Sequence, residues 1–155
     1  MPPHYVFSHV EGQYFRTRAV GFLEETEQGE LDAKEAYDAL PLTKRQLVDS
    51  RFQHWLGRQV FNKYFHGFTG KYDMCFVFKW EVRHIPQRLY GFLCHPRPET
   101  MPFFELCVLT YFATKGDDTN PTILDRINGL RQDLAVREAI GGAYPEFRGR
   151  KSWPN

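Results

Sequence analysis

The stretch between Tyr72 and Lys115 constrains the fold most, because it predicts three β-strands in succession. In residues 73–83 the side chains alternate between an apolar set and a set that becomes charged. The apolar set is Met74, Phe76, Phe78, Trp80 and Val82, and the other set ends in Lys79, Glu81 and Arg83. Such alternation over a short run is typical of a strand with one buried face. The first of the three strands therefore carries a charged surface at its end.

Two further strand-like runs follow, at residues 88–95 and 103–113. Between the first two runs lies the loop 84–87, in which proline cannot continue a ladder. If this loop closes a hairpin, the pairs across it are Arg83 with Arg88, Glu81 with Tyr90 and Lys79 with Phe92. The third run is nearly continuous in apolar residues, as expected for a central strand covered on both sides. The hairpin would gather Lys79, Glu81, Arg83, Arg88 and Tyr90 on one surface.

The remaining segments predict helices and one uncertain region. Residues 4–22 contain β-favouring side chains, so one or both halves are expected to be edge strands. A short helix over residues 32–40 ends before Pro41, and a second runs from residue 43 towards residue 59, which together form a helical hairpin. A closing helix begins at Pro121. The predicted fold is α+β: an antiparallel sheet of three to five strands packed against an N-terminal helical hairpin, with a C-terminal helix.

Length and composition support one intracellular domain. A chain of 155 residues can bury a core in a single domain, predicted here over residues 1–142, with residues 143–155 as a loosely held tail. The three cysteines lie inside predicted strands and form no C-x-x-C pair, which suits reduced thiols in the cytoplasm. No apolar run approaches membrane-spanning length, so no membrane association is expected.

The charge distribution points to a polyanion or an acidic partner. Residues 51–95 carry seven Lys/Arg against two Asp/Glu, whereas residues 1–50 carry five against nine. A solvated face with ordinary ion pairs explains the same count and is the commoner situation. Neither a metal-ligand spacing of His and Cys nor a phosphate-binding glycine loop is present, so no metal or cofactor is expected.

Several motifs together resemble the RelE/ParE superfamily of toxins from type II toxin–antitoxin systems, and the RelE-type and phage-derived members in particular. They are the His-Gly-Phe-Thr-Gly run at residues 66–70, the strand at 78–83, the strand at 88–92, and the strand at 106–115 with the proline-started helix after it. The resemblance covers about half of the chain, from roughly residue 66 to residue 134. It implies an endoribonuclease that cuts mRNA without a metal, on the ribosome in many members, and that a cognate antitoxin blocks.

The resemblance also assigns site residues. Lys79 and Arg83 match basic positions of the penultimate strand pair, Arg88 the arginine that opens the next strand, and Lys115 the basic residue that ends the last strand. Glu81 stands where some active members carry another basic residue, and residues 122–124 offer neither the tyrosine nor the histidine that several members use. These departures favour an alternative, namely a non-enzymatic ParE-like inhibitor of DNA gyrase or a diverged partner-binding relative.

The chemistry of RNA cleavage explains why these residue types matter. A base must take the 2′-hydroxyl proton, cations must stabilise the pentavalent phosphate, and an acid must protonate the leaving oxygen. Arg83 and Arg88 are candidates for the cations, and Glu81 or Lys79 for the base. One of three histidines expected in loops around the sheet could serve as the acid, namely His66, His84 or His95. Tyr90 and Lys71 are predicted to bind RNA, Tyr90 by stacking a base. The alternative for Glu81 is a cross-strand salt-bridge cluster with Lys79, Arg83 and Arg88.

Overall fold

The computed structural model of the chain describes residues 4–27, 29–114 and 120–149. Six strands form one sheet in the order β1-β2-β6-β5-β4-β3. The strands are β1 (Tyr5–Phe15), β2 (Arg18–Glu25), β3 (Phe65–Gly67), β4 (Cys75–Val82), β5 (Ile85–Cys94) and β6 (Glu105–Thr114). The helices are α1 (Ala33–Asp38), α2 (Leu42–Leu56), α3 (Pro121–Gln132) and α4 (Leu134–Gly141), with short 3-10 helices at Gly70–Tyr72 and Pro145–Gly149.

This architecture corrects the predicted fold class. The sheet has six strands and is mixed, because β2 and β6 pair in parallel while the other neighbours are antiparallel. The chain also begins with two strands, so the helical pair α1 and α2 is not N-terminal but follows β2. The prediction of three to five antiparallel strands behind an N-terminal helical hairpin was therefore wrong. Parallel pairing joins residues more than 80 positions apart, and short-range patterns do not report such a pairing.

Helices cover both faces of the sheet, which explains the apolar character of its central strands. On one face, which we name the α3 face, the odd-numbered β4 residues Cys75 and Val77 pack against α3 and α4. The α2 face packs Phe76, Phe78 and Trp80 against α1 and α2. Because alternate side chains of a strand point to opposite faces, Lys79 and Glu81 continue the α3 face towards the end of β4.

The hairpin of β4 and β5 is tighter than predicted. Its turn consists of Arg83 and His84 alone, with φ of 52° and 67°, as a two-residue turn with left-handed central residues requires. Consequently Ile85, expected in the loop, pairs with Val82, and Lys79 pairs with Arg88 rather than with Phe92. Neither turn residue is glycine or asparagine, which is why the turn chemistry gave no signal.

The β5–β6 ladder contains a bulge between Tyr90 and Gly91. Tyr90 pairs with Tyr111 but Gly91 pairs with Leu109, so Thr110 is the extra residue. The buried Thr110 hydroxyl donates to the Tyr90 carbonyl at 3.1 Å, so the side chain of the extra residue is hydrogen-bonded across the bulge. The ladder then continues as far as Gln87 and Thr114.

The described part of the predicted tail packs onto the domain. Phe147 in the second 3-10 helix is fully buried against the α3-face core, and the Glu146 carboxylate accepts a 2.6 Å hydrogen bond from the Thr100 hydroxyl. Residues 150–155 lie outside the described residues. Among the helices that the structure describes, none combines the length and the apolar composition needed to cross a membrane.

Candidate functional site

Two cations face each other at the hairpin end of the α3 face. Lys79 on β4 and Arg88 on β5 are direct cross-strand partners, so their Cβ atoms lie about 4.5–5.5 Å apart. Like charges at this position destabilise a sheet. The Arg88 guanidinium also donates to the Tyr90 hydroxyl at 3.2 Å, which holds it over this face. The pairing therefore places two cationic groups side by side on this face.

A histidine on the neighbouring strand completes the cluster. His66 of β3 pairs with Val77, so it lies on the same face as Lys79 and diagonal to it. Burial lowers the pKa of His66, and the charges of Lys79 and Arg88 lower it further, while the hydrogen bond to Gly67 acts in the opposite direction. His66 is therefore held in the neutral form near neutral pH.

The tautomer of His66 follows from its hydrogen bond. Its Nδ1 lies 2.7 Å from the Gly67 carbonyl oxygen, and a carbonyl oxygen only accepts. Nδ1 therefore carries the hydrogen, and Nε2 keeps a lone pair. A neutral imidazole with one nitrogen fixed by the backbone and the other nitrogen basic is the arrangement that general-base catalysis needs.

The surroundings of Lys79 lower the pKa of its ammonium group. Burial lowers its pKa, and the Arg88 charge lowers it further. Among the described residues, no carboxylate lies within ion-pair distance of Lys79, and no cation lies within ion-pair distance of the exposed Glu81. The salt-bridge cluster considered from the sequence is thus absent from this part of the chain. A lysine in such a setting is a better proton donor than a solvated one.

The cations line a cavity of about 480 Å³ at the free edge of β4. Strand β3 pairs only with residues 76–78, so β4 extends beyond it, and the Tyr64 carbonyl accepts from the Lys79 amide at 2.7 Å. From α2, Arg51 reaches round this edge to donate to the Lys79 carbonyl, and its guanidinium stacks 3.5 Å from the centre of the Tyr64 ring. Lys63 is the fourth cation of the lining, and Glu81 is the one acid among the described residues that line it.

The other predicted site residues are dispersed. Arg83 is in the two-residue turn rather than in β4, and Lys71 lies in the first 3-10 helix, 3.9 Å from the Asp125 carboxylate and before the opposite end of β4. The Tyr90 ring is 2% exposed and packs in the α3-face core, where it offers no open face to a base. Lys115 lies outside the described residues. Of the predicted set, Lys79, Glu81 and Arg88 come together.

Sequence reasoning weighed His66 only as one of three loop histidines and did not select Arg51 or Lys63. The signal for His66 was its place before two glycines in residues 66–70, but its role depends on β3, which has only three residues. Arg51 lies on a helix whose spacing gave no reason to direct it towards β4. These three residues are thus brought to the site by long-range packing.

A search for metal ligands gives no candidate: no group of three or more His, Cys, Asp or Glu that could hold an ion occurs in the described ranges. Comparison of the chain with family models, with curated proteins and with solved structures finds no match in any of the three.

Proposed function

We propose that the protein is a metal-independent RNA endonuclease whose centre is formed by His66, Lys79 and Arg88. The observation that carries the proposal is the direct pairing of Lys79 with Arg88 beside a neutral histidine whose Nε2 is basic. Two close cations suit a phosphodiester, whose non-bridging oxygens both cations can contact. The four cations of the cavity lining attract the same polyanion.

The roles follow from the protonation states. His66 Nε2 takes the proton of the 2′-hydroxyl as that oxygen attacks phosphorus. Arg88 stabilises the two non-bridging oxygens of the pentavalent phosphate, which its planar fork can contact together. Lys79 gives its proton to the 5′-oxygen as the P–O bond breaks, and its lowered pKa makes this transfer easier. Glu81 is close enough in register to orient Lys79 or the sugar, and no chemical step requires it.

The wider role rests on the resemblance described above. In that role the protein is the toxin of a type II toxin–antitoxin system, cuts mRNA in the cytoplasm with the ribosome as a platform, and is inhibited by a cognate antitoxin. The neutral His66 supplies a base that the resemblance did not provide. It therefore supports cleavage over the non-enzymatic alternative.

The test is cleavage of an end-labelled single-stranded RNA by the purified protein in the presence of EDTA. The wild type should produce defined fragments, and Arg88→Gln should slow cleavage by about 100- to 1000-fold, as loss of one charge-stabilising donor does. His66→Gln and Lys79→Met should each reduce the rate at least 100-fold. Lys34→Gln removes a charge from α1 near the opposite edge of the sheet and should leave the rate unchanged.

Intact RNA after incubation with the wild type, alone and with translating ribosomes, would refute the proposal. A parallel measurement of DNA supercoiling by gyrase tests the alternative. Intact RNA combined with blocked supercoiling would assign the protein to the gyrase-inhibitor class.

A further inference from the structure

A second, smaller cavity lies next to the first and has no role in the chemistry above. It measures about 230 Å³, lies at the C-terminal end of α2, and is lined by Arg18, Arg58 and His66, and none of the described residues in its lining is acidic. The Arg18 guanidinium is matched by the Glu105 carboxylate at 2.9 Å. Arg58 donates to the neutral Thr17 hydroxyl at 2.6 Å, and within the described ranges no carboxylate reaches it. Its charge is therefore available to an anion.

The loop 58–64 is the wall shared by the two cavities. Lys63 and Tyr64 line the first cavity, and Arg58 and Asn62 line the second. Between them Phe61 is 40% exposed, and its ring is supported by Tyr64 with 5.4 Å between ring centroids. An exposed aromatic ring between two basic depressions is the arrangement that proteins use to bind single-stranded nucleic acids.

His66 connects the two cavities. His66 is one of the residues that line the second cavity, while the charges of Lys79 and Arg88, which line the first, act on its imidazole. An RNA strand whose scissile phosphate lies at the Lys79–Arg88 pair therefore has its neighbouring nucleotides directed past His66 or over loop 58–64. A duplex, whose bases are paired inside, has no base to offer Phe61.

We propose that loop 58–64 is the binding track of a flexible single-stranded RNA longer than the cleaved dinucleotide. One neighbouring phosphate binds Arg58 in the second cavity, and an unpaired base stacks on Phe61. This inference rests on the proposed function for the placement of the scissile phosphate. Recognition of the strand itself depends on Arg58 and Phe61, which take no part in the chemistry.

The test measures binding by fluorescence anisotropy, with a fluorescein-labelled 2′-O-methyl RNA octamer of mixed sequence and the matching dinucleotide. The blocked 2′-oxygen prevents cleavage, so binding is observed alone. Arg58→Asn keeps a side chain that tolerates the φ of 61° at this position and should weaken octamer binding about tenfold, with a shallower salt dependence. Phe61→Ala should weaken octamer binding about tenfold or more. Dinucleotide binding should not change in either variant, and Lys34→Gln should bind both probes as the wild type does.

The two proposals fail in distinguishable ways. If the wild type binds the octamer with the expected variant effects but cleaves no unmodified RNA, the nuclease assignment is wrong and the track stands. If the wild type cleaves RNA while Arg58→Asn and Phe61→Ala bind the octamer normally, the track is wrong. Equal weakening for octamer and dinucleotide, or no octamer binding by the wild type, also overturns the track. Urea unfolding of each variant checks that a loss of binding is not a loss of folding.

Discussion

Substitution of Gly91 by alanine tests the packing that fixes the β5–β6 ladder. Gly91 follows the bulge and faces the backbone of β6 at close range. A Cβ atom there would lie 2.7 Å from the Val108 carbonyl carbon and 2.8 Å from the Leu109 Cα atom, and nearer still to the Val108 oxygen. All three atoms are backbone, so no side-chain rotation relieves the overlap. Strand β6 must move away from β5 instead.

The size of the effect follows from what would have to move. Extra atoms in a well-packed core cost about 1–3 kcal/mol when side chains can adjust. Here the backbones of two central strands must separate, so we expect a loss of about 3 kcal/mol or more. Domains are stable by about 5–15 kcal/mol in total, so the loss is a large fraction of the whole.

The assay is urea unfolding followed by tryptophan fluorescence. With a slope of about 1–3 kcal/mol per molar urea, Gly91→Ala should lower the midpoint by roughly 1–3 M. Gly129→Ala is the matched control: it lies in α3, a Cβ there meets nothing within 4 Å, and alanine favours a helix over glycine by up to about 1 kcal/mol. Its midpoint should rise. A Gly91→Ala midpoint equal to that of the wild type would refute the reasoning.

Three further predictions concern pH, capping and the C-terminal segment. Burial lowers the pKa of His9 below its usual 6.5, so the unfolded chain binds the proton at a higher pH than the native one. The free energy of unfolding should therefore fall as pH drops below 6.5, and His9→Gln should reduce that fall. Asp133→Ala removes the carboxylate that accepts from the Ala135 amide at 2.7 Å at the start of α4, and should cost about 1 kcal/mol by thermal unfolding, whereas Asp133→Asn should cost less. Glu146→Gln weakens bonds from the Glu99 amide and from the Thr100 amide and hydroxyl, so hydrogen exchange at both amides should accelerate, and unchanged exchange would contradict this role.

The central strands could be predicted from the sequence, whereas the N-terminal half of the sheet could not. Alternation in residues 73–83 and the apolar run in 103–113 report local burial, and strands β4 and β6 are found there. One or both halves of residues 4–22 were expected to be edge strands, and Glu11 and Gly12 between the two halves lie inside β1, at an irregularity in the β1–β2 register with Gly12 at φ of 75°. The true turn is at Arg16 and Thr17, with Arg16 at φ of 52° and no glycine to mark it.

The same difference between local and long-range information decides which residues of the candidate site could be predicted. The alternation in β4 places Lys79 and Glu81 on one face whatever the exact register, and a shift of the hairpin by an even number of residues keeps Arg88 on that face. The predicted and observed pairings differ by such a shift. Lys79 and Arg88 therefore lie on one face although the predicted hairpin register was wrong. Arg83 does not lie on this face of β4, because the turn is shorter than predicted and includes Arg83.

The position of the site depends on the mismatch in length between β3 and β4. A three-residue β3 ends its pairing at Phe78, and along that edge the next residue of β4, Lys79, bonds to the Tyr64 carbonyl and to Arg51. Had β3 continued as a full strand, its backbone would cover the edge where the 480 Å³ cavity now lies. Had it been absent, His66 would not lie diagonal to Lys79 on the α3 face. In the proposed mechanism, a short strand thus both supplies the base and leaves open the edge at which the phosphodiester reaches the Lys79–Arg88 pair.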